Sequence, residues 1–192
     1  MTVGQFKPAL VEIERAQRLD PLSASISTTR AYLLMILHRY DGASAQTQRT
    51  LAAHPDFQGA RGNAKEIAVM RHQYADAKRQ ARLLAPIVRA DPNATVSLVR
   101  GIADPALRAG AVQSLETSPG AAGLRRDPVI YANYLALLGA YDRALVALER
   151  FAVQRDSPNP EEIWDPAFDP IRNDPRFKAV LAKMGLPYTP HG

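Results

Sequence analysis

The stretch at residues 38–55, HRYDGASAQTQRTLAAHP, decides the fold because its landmark residues return at a fixed interval. The aromatic residue and the alanine near its start, and the proline that closes it, each belong to a series spaced by 34 residues. The series are Phe6, Tyr40 and Tyr74; Ala9, Ala43, Ala77 and Ala111; and Pro21 and Pro55. A fixed period of this size indicates stacked helix–turn–helix units, because each unit must share its apolar face with the next.

Between these landmarks, apolar residues recur at spacings of three and four, which predicts amphipathic helices. We expect helices over 5–19, 23–37, 57–70, 93–102, 128–138 and 175–184. We also expect second helices that end near Ala53, Val88 and Arg155, and one that runs from Pro105 through Leu115. The Asp-Pro steps are predicted helix starts, since aspartate caps a helix and proline suits its first turn. Ser118-Pro119-Gly120 is predicted to break a helix, and residues 156–164 are predicted to form a loop.

The composition agrees with an all-α chain and narrows the chemistry. Of the 192 residues, 46% are hydrophobic but only 7% are aromatic, which suits close-packed helices better than β-sheet. The chain has no cysteine, so disulfides, thiol catalysis and cysteine–zinc sites are excluded. No apolar run reaches the ~20 residues of a membrane span, and no signal peptide is visible, so we expect a cytoplasmic protein without a membrane partner.

The repeated pattern resembles the tetratricopeptide repeat (TPR), which ends in a tyrosine-rich turn, an alanine, a large apolar residue four positions later and a closing proline. Four phased copies carry this resemblance. They are Phe6-x2-Ala9-x3-Ile13 with Pro21, Tyr40-x2-Ala43-x3-Thr47 with Pro55, Tyr74-x2-Ala77-x3-Ala81, and Tyr141-x2-Ala144-x3-Leu148. The resemblance implies a TPR-like α-solenoid of antiparallel helix pairs over residues 5–155. It divides a single domain, 1–192, into a half repeat at 5–21, repeats at 22–55, 56–92, 93–119 and 127–155, and a C-terminal cap at 156–192.

The copies also depart from the family pattern. The usual first-helix Trp, Leu and Gly are missing, and Arg30 and Ala31 stand where Leu-Gly is expected. Lys65 stands in the small-residue position of the third unit, next to Ala64, which predicts that this helix is shifted by one residue. The unit at 93–119 keeps little of the pattern beyond Ala111.

The tail at 164–177, WDPAFDPIRNDPRF, resembles the closing segment of bacterial multidomain regulators. Those proteins join a repeat array to a winged-helix, nucleotide-cyclase or kinase module. The resemblance implies a regulatory part of a signalling or transcription system. We expect Trp164, Phe168 and Phe177 to cover the apolar end of the stack, as terminal repeats must.

The first helix matches only the second half of a unit. A missing partner helix would cover Leu10 and Ile13, and exposed apolar patches of this kind usually mark interfaces. We therefore expect self-association through residues 5–19, which a concentration-independent monomer in analytical ultracentrifugation would count against.

Candidate catalytic groups are sparse. The four histidines are scattered, and none has a second ligand at i, i+4 spacing. His38 and His72 repeat one turn position and are expected to face solvent. No phosphate-binding glycine loop and no nucleophile-elbow motif is present, so we expect a protein that is not an enzyme and has no cofactor or metal.

In TPR arrays the first helices line the concave face, which implies a protein- or peptide-binding surface. The expected site residues are Tyr32, Met35, Ile36, Glu66, Met70, Arg100, Asn133 and Leu137. Ser25, Thr28, Gly62, Val69, Val96, Val129 and Ala136 extend the same inward positions. The alternative interpretation of Tyr32, Met35, Ile36 and Met70 is that they are ordinary core residues. An apolar centre with few charges suits an extended or helical peptide.

The net charge of +5 leaves a second hypothesis open. Arg71, Lys78, Arg79, Arg82 and Arg89 are the densest basic stretch, and four of them fall on one broad helical face. This basic ridge could contact phosphate in a nucleic-acid-linked regulator, although scattered arginines are more often solvated. Binding to phosphate should weaken steeply as salt rises, whereas binding in an apolar groove should not.

Overall fold

The computed structural model describes residues 4–154 and 160–188, and these residues are all-helical with no β-strand. The α-helices are α1 Phe6–Leu19, α2 Ala24–Ile36, α3 Tyr40–Ala53, α4 Gln58–Met70, α5 Tyr74–Ile87, α6 Pro92–Ala103, α7 Arg108–Thr117, α8 Ala122–Arg126, α9 Pro128–Leu137, α10 Tyr141–Gln154 and α11 Pro175–Lys183. Short 3₁₀ segments lie at Pro105–Leu107, Pro119–Ala121, Pro160–Trp164 and Pro166–Ile171. The all-α prediction is confirmed.

The chain clusters into two compact units, residues 5–99 and residues 100–192 together with 1–4, which we describe separately. The boundary falls within α6. The prediction of one continuous array of a half repeat and four repeats stays a prediction.

The 34-residue period is visible in the helix bounds. Helices α1, α3 and α5 begin at Phe6, Tyr40 and Tyr74, and each has 14 residues. Helices α2 and α4 begin at Ala24 and Gln58, and each has 13 residues. The repeated alanine is the fourth residue of its helix in all five copies, Ala9, Ala43, Ala77, Ala111 and Ala144.

The turns inside three helix pairs, α2–α3, α4–α5 and α9–α10, share one geometry. His38 and His72 both adopt a φ of 57°, and Gly139 in the α9–α10 turn adopts 74°. In each turn an amide donates back to a carbonyl five residues earlier at 2.8 Å; the pairs are Arg39–Leu34, Gln73–Ala68 and Ala140–Leu135. This is the left-handed helix end that usually favours glycine. Both histidines are exposed, as expected, and each ring nitrogen Nδ1 hydrogen-bonds the tyrosine two residues later.

In the unit at residues 5–99, consecutive helices pack on each other: α1 on α2, α2 on α3, α3 on α4 and α4 on α5, while α2 also touches α4. Alanines at the crossings are completely buried, including Ala31, Ala43 and Ala77. Helix α4 is not shifted by one residue, because its bounds lie 34 residues after those of α2. Lys65 itself therefore occupies the small-residue position and is 8% exposed.

A polar cluster ties α1 to the α2–α3 pair. Arg30 of α2 donates to Glu14 at 3.0 Å and Gln17 at 3.1 Å on α1, and to Gln46 at 3.2 Å on α3. Ser27 hydrogen-bonds Gln46 at 2.5 Å. The arginine in place of the family's leucine thus links three helices.

Thr47 offers a stability test in this unit. Thr47 is 2% exposed, and its hydroxyl has no hydrogen-bond partner among the described residues. The equivalent position on α10 is the buried Leu148. Because Thr47→Val keeps the shape and removes an unpaired hydroxyl, we expect the free energy of unfolding to rise by about 1 kcal/mol. Urea unfolding followed by circular dichroism measures the change.

Thr50→Val is the matched control for that prediction. The Thr50 hydroxyl is also buried, but it lies 2.6 Å from the Ser27 hydroxyl and donates to the Gln46 carbonyl at 3.0 Å. Its removal should lower the free energy of unfolding by about 1–2 kcal/mol. Two changes of the same sign would contradict this description of the core.

In the unit at residues 100–192, α9 and α10 form the central pair, and both α7 and α9 contact α8. Aspartate caps open several segments as expected: Asp104, Asp127, Asp165 and Asp174 accept hydrogen bonds from backbone amides one or two residues past the proline. Helix α7 ends at Thr117, as the predicted break at Ser118 requires, and a 3₁₀ turn and α8 follow. The predicted loop at 156–164 is wrong at its end, where Pro160–Trp164 is a 3₁₀ segment; residues 155–159 lie outside the described residues.

The tail packs on α9 and α10. Its two 3₁₀ segments contact α9, and α11 contacts α10. Trp164, Phe168 and Phe177 are at most 1% exposed, so all three side chains are buried in this unit, while their role in covering the end of a repeat stack stays a prediction. Arg172 holds the tail together, because its guanidinium donates to the Trp164 carbonyl at 2.6 Å and to the Asp169 carboxylate at 2.6 Å.

Candidate functional site

The candidate site is a surface stripe along α2 and α4, the first helices of the unit at residues 5–99. We call it the first-helix face. Its residues are Ser25, Thr28 and Tyr32 on α2, and Gly59, Gly62, Glu66 and Met70 on α4. None of these residues is buried, and spacings of three and four place each set on one side of its helix. Because α2 and α4 are in contact, the two sets form one surface.

Two glycines shape the first-helix face in different ways. A Cβ atom at Gly59 would come within 2.9 Å of Thr28 Cγ2, so the glycine lets α4 approach α2 closely. Asn63 strengthens this contact by donating to the Thr28 carbonyl at 3.0 Å. A Cβ atom at Gly62 would meet nothing within 4 Å. The surface therefore has open space at Gly62 beside a tight helix crossing.

Little charge lies on the first-helix face. Glu66 is its ionisable carboxylate, and the Lys65 ammonium lies 3.5 Å from it. Serine, threonine, tyrosine, glycine and methionine make up the remainder, and the hydroxyl oxygens of Thr28 and Tyr32 are buried. Such a surface can accept apolar side chains better than a strongly charged ligand.

The structure brings together only some of the predicted site residues. Tyr32, Glu66 and Met70 are half-buried on the first-helix face. Met35 and Ile36, by contrast, are 0% and 4% exposed, so neither side chain can contact a partner in this conformation. They belong to the core, as the alternative interpretation held, because four successive residues of α2 from Leu33 are buried.

The other three predicted residues lie in the unit at residues 100–192. Arg100 is exposed and Leu137 is half-buried, whereas Asn133 is 8% exposed and so is not a surface residue. A binding role for Arg100 and Leu137 stays a prediction. Gly59 was not predicted as a site residue. Its position three residues before Gly62 on the predicted helix at 57–70 would have placed it on the same face.

The basic ridge is smaller than its sequence suggests. Arg71 pairs with Asp41, and Arg79 lies 2.5 Å from Asp76. Arg89 lies beyond the end of α5 with a φ of 53°, which takes it off the helical face. Lys78 and Arg82 remain on α5 with no ion pair in the part of the chain that the structure describes.

No cluster of three or more histidine, aspartate or glutamate side chains that could hold a metal ion occurs among residues 4–154 and 160–188.

The surroundings of Tyr131 and Glu149 shift the pKa values of these two side chains. Burial, and then the charge of Glu116, raises the pKa of Tyr131. A hydrogen bond from Arg176, at 2.8 Å, lowers the pKa of Glu149.

Helix α1 exposes less apolar surface than expected. Leu10 is 7% exposed and packs in the core, and Ile13 is half-buried. Self-association through residues 5–19 therefore cannot use Leu10, and it stays a prediction for the rest of α1.

Within the described ranges, no helix has both the length and the apolar character that a membrane crossing requires. Comparison of the chain with protein-family models, with curated proteins and with solved structures found no significant match. The TPR resemblance therefore rests on the residues and spacings of this chain alone.

Proposed function

We propose that this protein is a non-catalytic, TPR-like scaffold that binds a peptide or protein segment along the first-helix face. The observation that carries the proposal is the open space at Gly62, on the same surface as Tyr32 and Met70 and with few charges around it. The equal phase of α2–α3 and α4–α5 supports the same architecture. The tail's resemblance to bacterial regulators supports a regulatory role in signalling or transcription.

The chemistry of this face suggests its ligand. The open space at Gly62 is suited to one apolar side chain, and Met70, two turns later on the same helix, could contact a second one. Ser25 is exposed on the same face and offers a hydroxyl to the ligand. One carboxylate with a lysine neighbour leaves little reason for a highly charged peptide to be preferred.

Selection from a random peptide library displayed on phage, with the full chain as bait, tests this proposal. Peptides that bind should lose affinity by about tenfold or more for Gly62→Gln, because the new side chain fills the gap; tenfold corresponds to about 1.4 kcal/mol. Tyr32→Ala should lower the affinity for the same peptides. Fluorescence anisotropy with labelled peptides gives the dissociation constants.

Gly110→Gln is the matched control, since Gly110 is also a helical glycine with open space around it, but on α7. It should leave peptide affinity unchanged. If the selected peptides bind the Gly62→Gln and wild-type proteins with equal affinity, the first-helix face is not the binding site.

The alternative, a nucleic-acid-linked regulator, depends on Lys78 and Arg82, the two ridge cations that lie on α5 and form no ion pair with a described residue. Its signature is DNA or RNA binding that weakens as salt rises. A Lys78→Gln, Arg82→Gln double variant should abolish such binding and leave peptide affinity intact.

A further inference from the structure

Helix α1 has the register of a second helix. It has the same length as α3, α5 and α10, opens with an aromatic residue, and carries its alanine at the fourth position. In α3, α5 and α10, the neighbouring first helix packs on one side of this second helix. This internal comparison shows what should cover each side of α1.

Three equivalent positions on that side are buried in α3, α5 and α10. They are Ala43, Gln46 and Thr47 on α3; Ala77, Gln80 and Ala81 on α5; and Ala144, Ala147 and Leu148 on α10, none more than 6% exposed. On α1 the corresponding residues are Ala9, Glu12 and Ile13. Glu12 is exposed and the other two are only half-buried.

The packing of α1 explains why these three residues are not buried. Helix α1 packs on α2, and Phe6 and Leu10 are its buried residues. Among the described residues of the unit at 5–99, no helix packs on α1 in the position that the first helix α2 occupies on α3. Ala9, Glu12 and Ile13 thus form a seat for a first helix, and we call it the α1 seat.

We propose that the α1 seat binds an amphipathic α-helix supplied by a partner protein. Two of the three occupied copies give the chemistry of that helix, since α10 has Ala147 in place of the glutamine. Ser27 of α2 hydrogen-bonds Gln46, and Arg61 of α4 donates to Gln80 Oε1 at 3.0 Å, so a polar pair forms at the same place in both. The α1 seat has Glu12 at that place.

A carboxylate in place of the glutamine favours a cation on the partner helix. Arg61 is the pattern to follow, since an arginine facing Glu12 would form a charge-assisted hydrogen bond. Four residues after Ser27, α2 carries the fully buried Ala31. The partner helix should therefore carry an arginine and, one turn later on the same side, an alanine or glycine.

This site is separate from the first-helix face, and its test does not depend on the proposed function. The probe is a fluorescein-labelled peptide with the sequence of α4, Gln58–Met70, carrying Lys65→Ala. Anisotropy with the full chain should show saturable binding. Glu12→Arg should weaken that binding at least tenfold, and Ala9→Leu should weaken it similarly because leucine fills the seat.

Charge reversal gives the sharpest readout. An Arg61→Glu version of the peptide should bind poorly to the wild type and regain affinity for the Glu12→Arg protein. Glu12→Gln, which recreates the glutamine of α3 and α5, should retain most of the binding. Val11→Gln, at a position 60% exposed and outside the seat, should have no effect. Equal helix content by circular dichroism shows that the variants fold.

Two results would overturn the proposal. One is the absence of saturable peptide binding, or equal affinity for the wild-type and Glu12→Arg proteins. The other is a wild-type dimer in sedimentation velocity that Ala9→Leu converts to a monomer, which would assign the α1 seat to a second copy of the chain.

Discussion

Trp164→Ala is expected to lower the free energy of unfolding of the unit at residues 100–192 by about 3–5 kcal/mol. Trp164 is 1% exposed, and its 3₁₀ segment packs on α9. Truncation would remove a large buried apolar surface and leave a cavity beside α9. Domains are stable by only ~5–15 kcal/mol, so this loss is a large share of the total.

Urea unfolding followed by far-ultraviolet circular dichroism measures this effect, because Trp164 is the protein's one tryptophan and its fluorescence disappears with it. Val153→Ala is the control, since Val153 is 73% exposed on α10 in the same unit. It should shift the midpoint little. An unfolding midpoint of Trp164→Ala close to that of wild type would show that the tail does not cover α9.

Gly101→Ala is expected to destabilise the same unit by about 1–3 kcal/mol, although alanine is normally the better helix former. A Cβ atom at residue 101 would come within 2.3 Å of the Ala111 Cβ and within 2.9 Å of Leu138 Cδ2. Because the first of these atoms is fixed to a helix backbone, the helices would have to separate.

Gly110→Ala should have the opposite sign. Gly110 lies in α7 with nothing within 4 Å of its Cβ position, so helix propensity alone should stabilise the protein by about 0.5–1 kcal/mol. Thermal and urea unfolding of both variants would settle the comparison. If both alanines stabilised the protein, the close approach of α6 to α7 would be wrong.

The helix bounds were predictable because local signals mark them. Asp-Pro steps open helices at residues 127 and 174, and the aspartate carboxylates accept the expected backbone amides. The turn at His38 and its copy at His72 end two first helices at equivalent points. Such signals need no knowledge of the rest of the chain, which is why the 34-residue period gave the pairing of the helices.

The inner and outer sides of a helix were harder to predict. Helix α2 buries Leu33 to Ile36 in succession, so its apolar pattern does not show which side faces a partner, and Met35 and Ile36 were placed on the surface wrongly. The break at Ser118 was predicted correctly, since α7 ends at Thr117, but the short helix α8 that follows was not predicted. The burial of successive residues on α2 and the formation of α8 both depend on contacts distant in sequence.

The α1 seat shows what the combination of sequence and structure adds. The sequence indicated that residues 5–19 match a second helix without its partner, but it assigned Leu10 to the open side. The burial of Leu10 places that residue against the core and leaves Ala9, Glu12 and Ile13 as the uncovered positions. The specific requirement for an arginine follows only from the Arg61–Gln80 contact in the occupied copy.

Insertion of one more repeat most directly tests the central claim that the helix pairs recur in phase every 34 residues and share one core. A second copy of residues 24–57 would be placed directly after Phe57. The account predicts that helical circular dichroism rises in proportion to the two added helices and that the longer protein unfolds cooperatively, because each unit contacts only its neighbours. An insert that adds no helical signal, or that proteases remove while the rest stays folded, would contradict it.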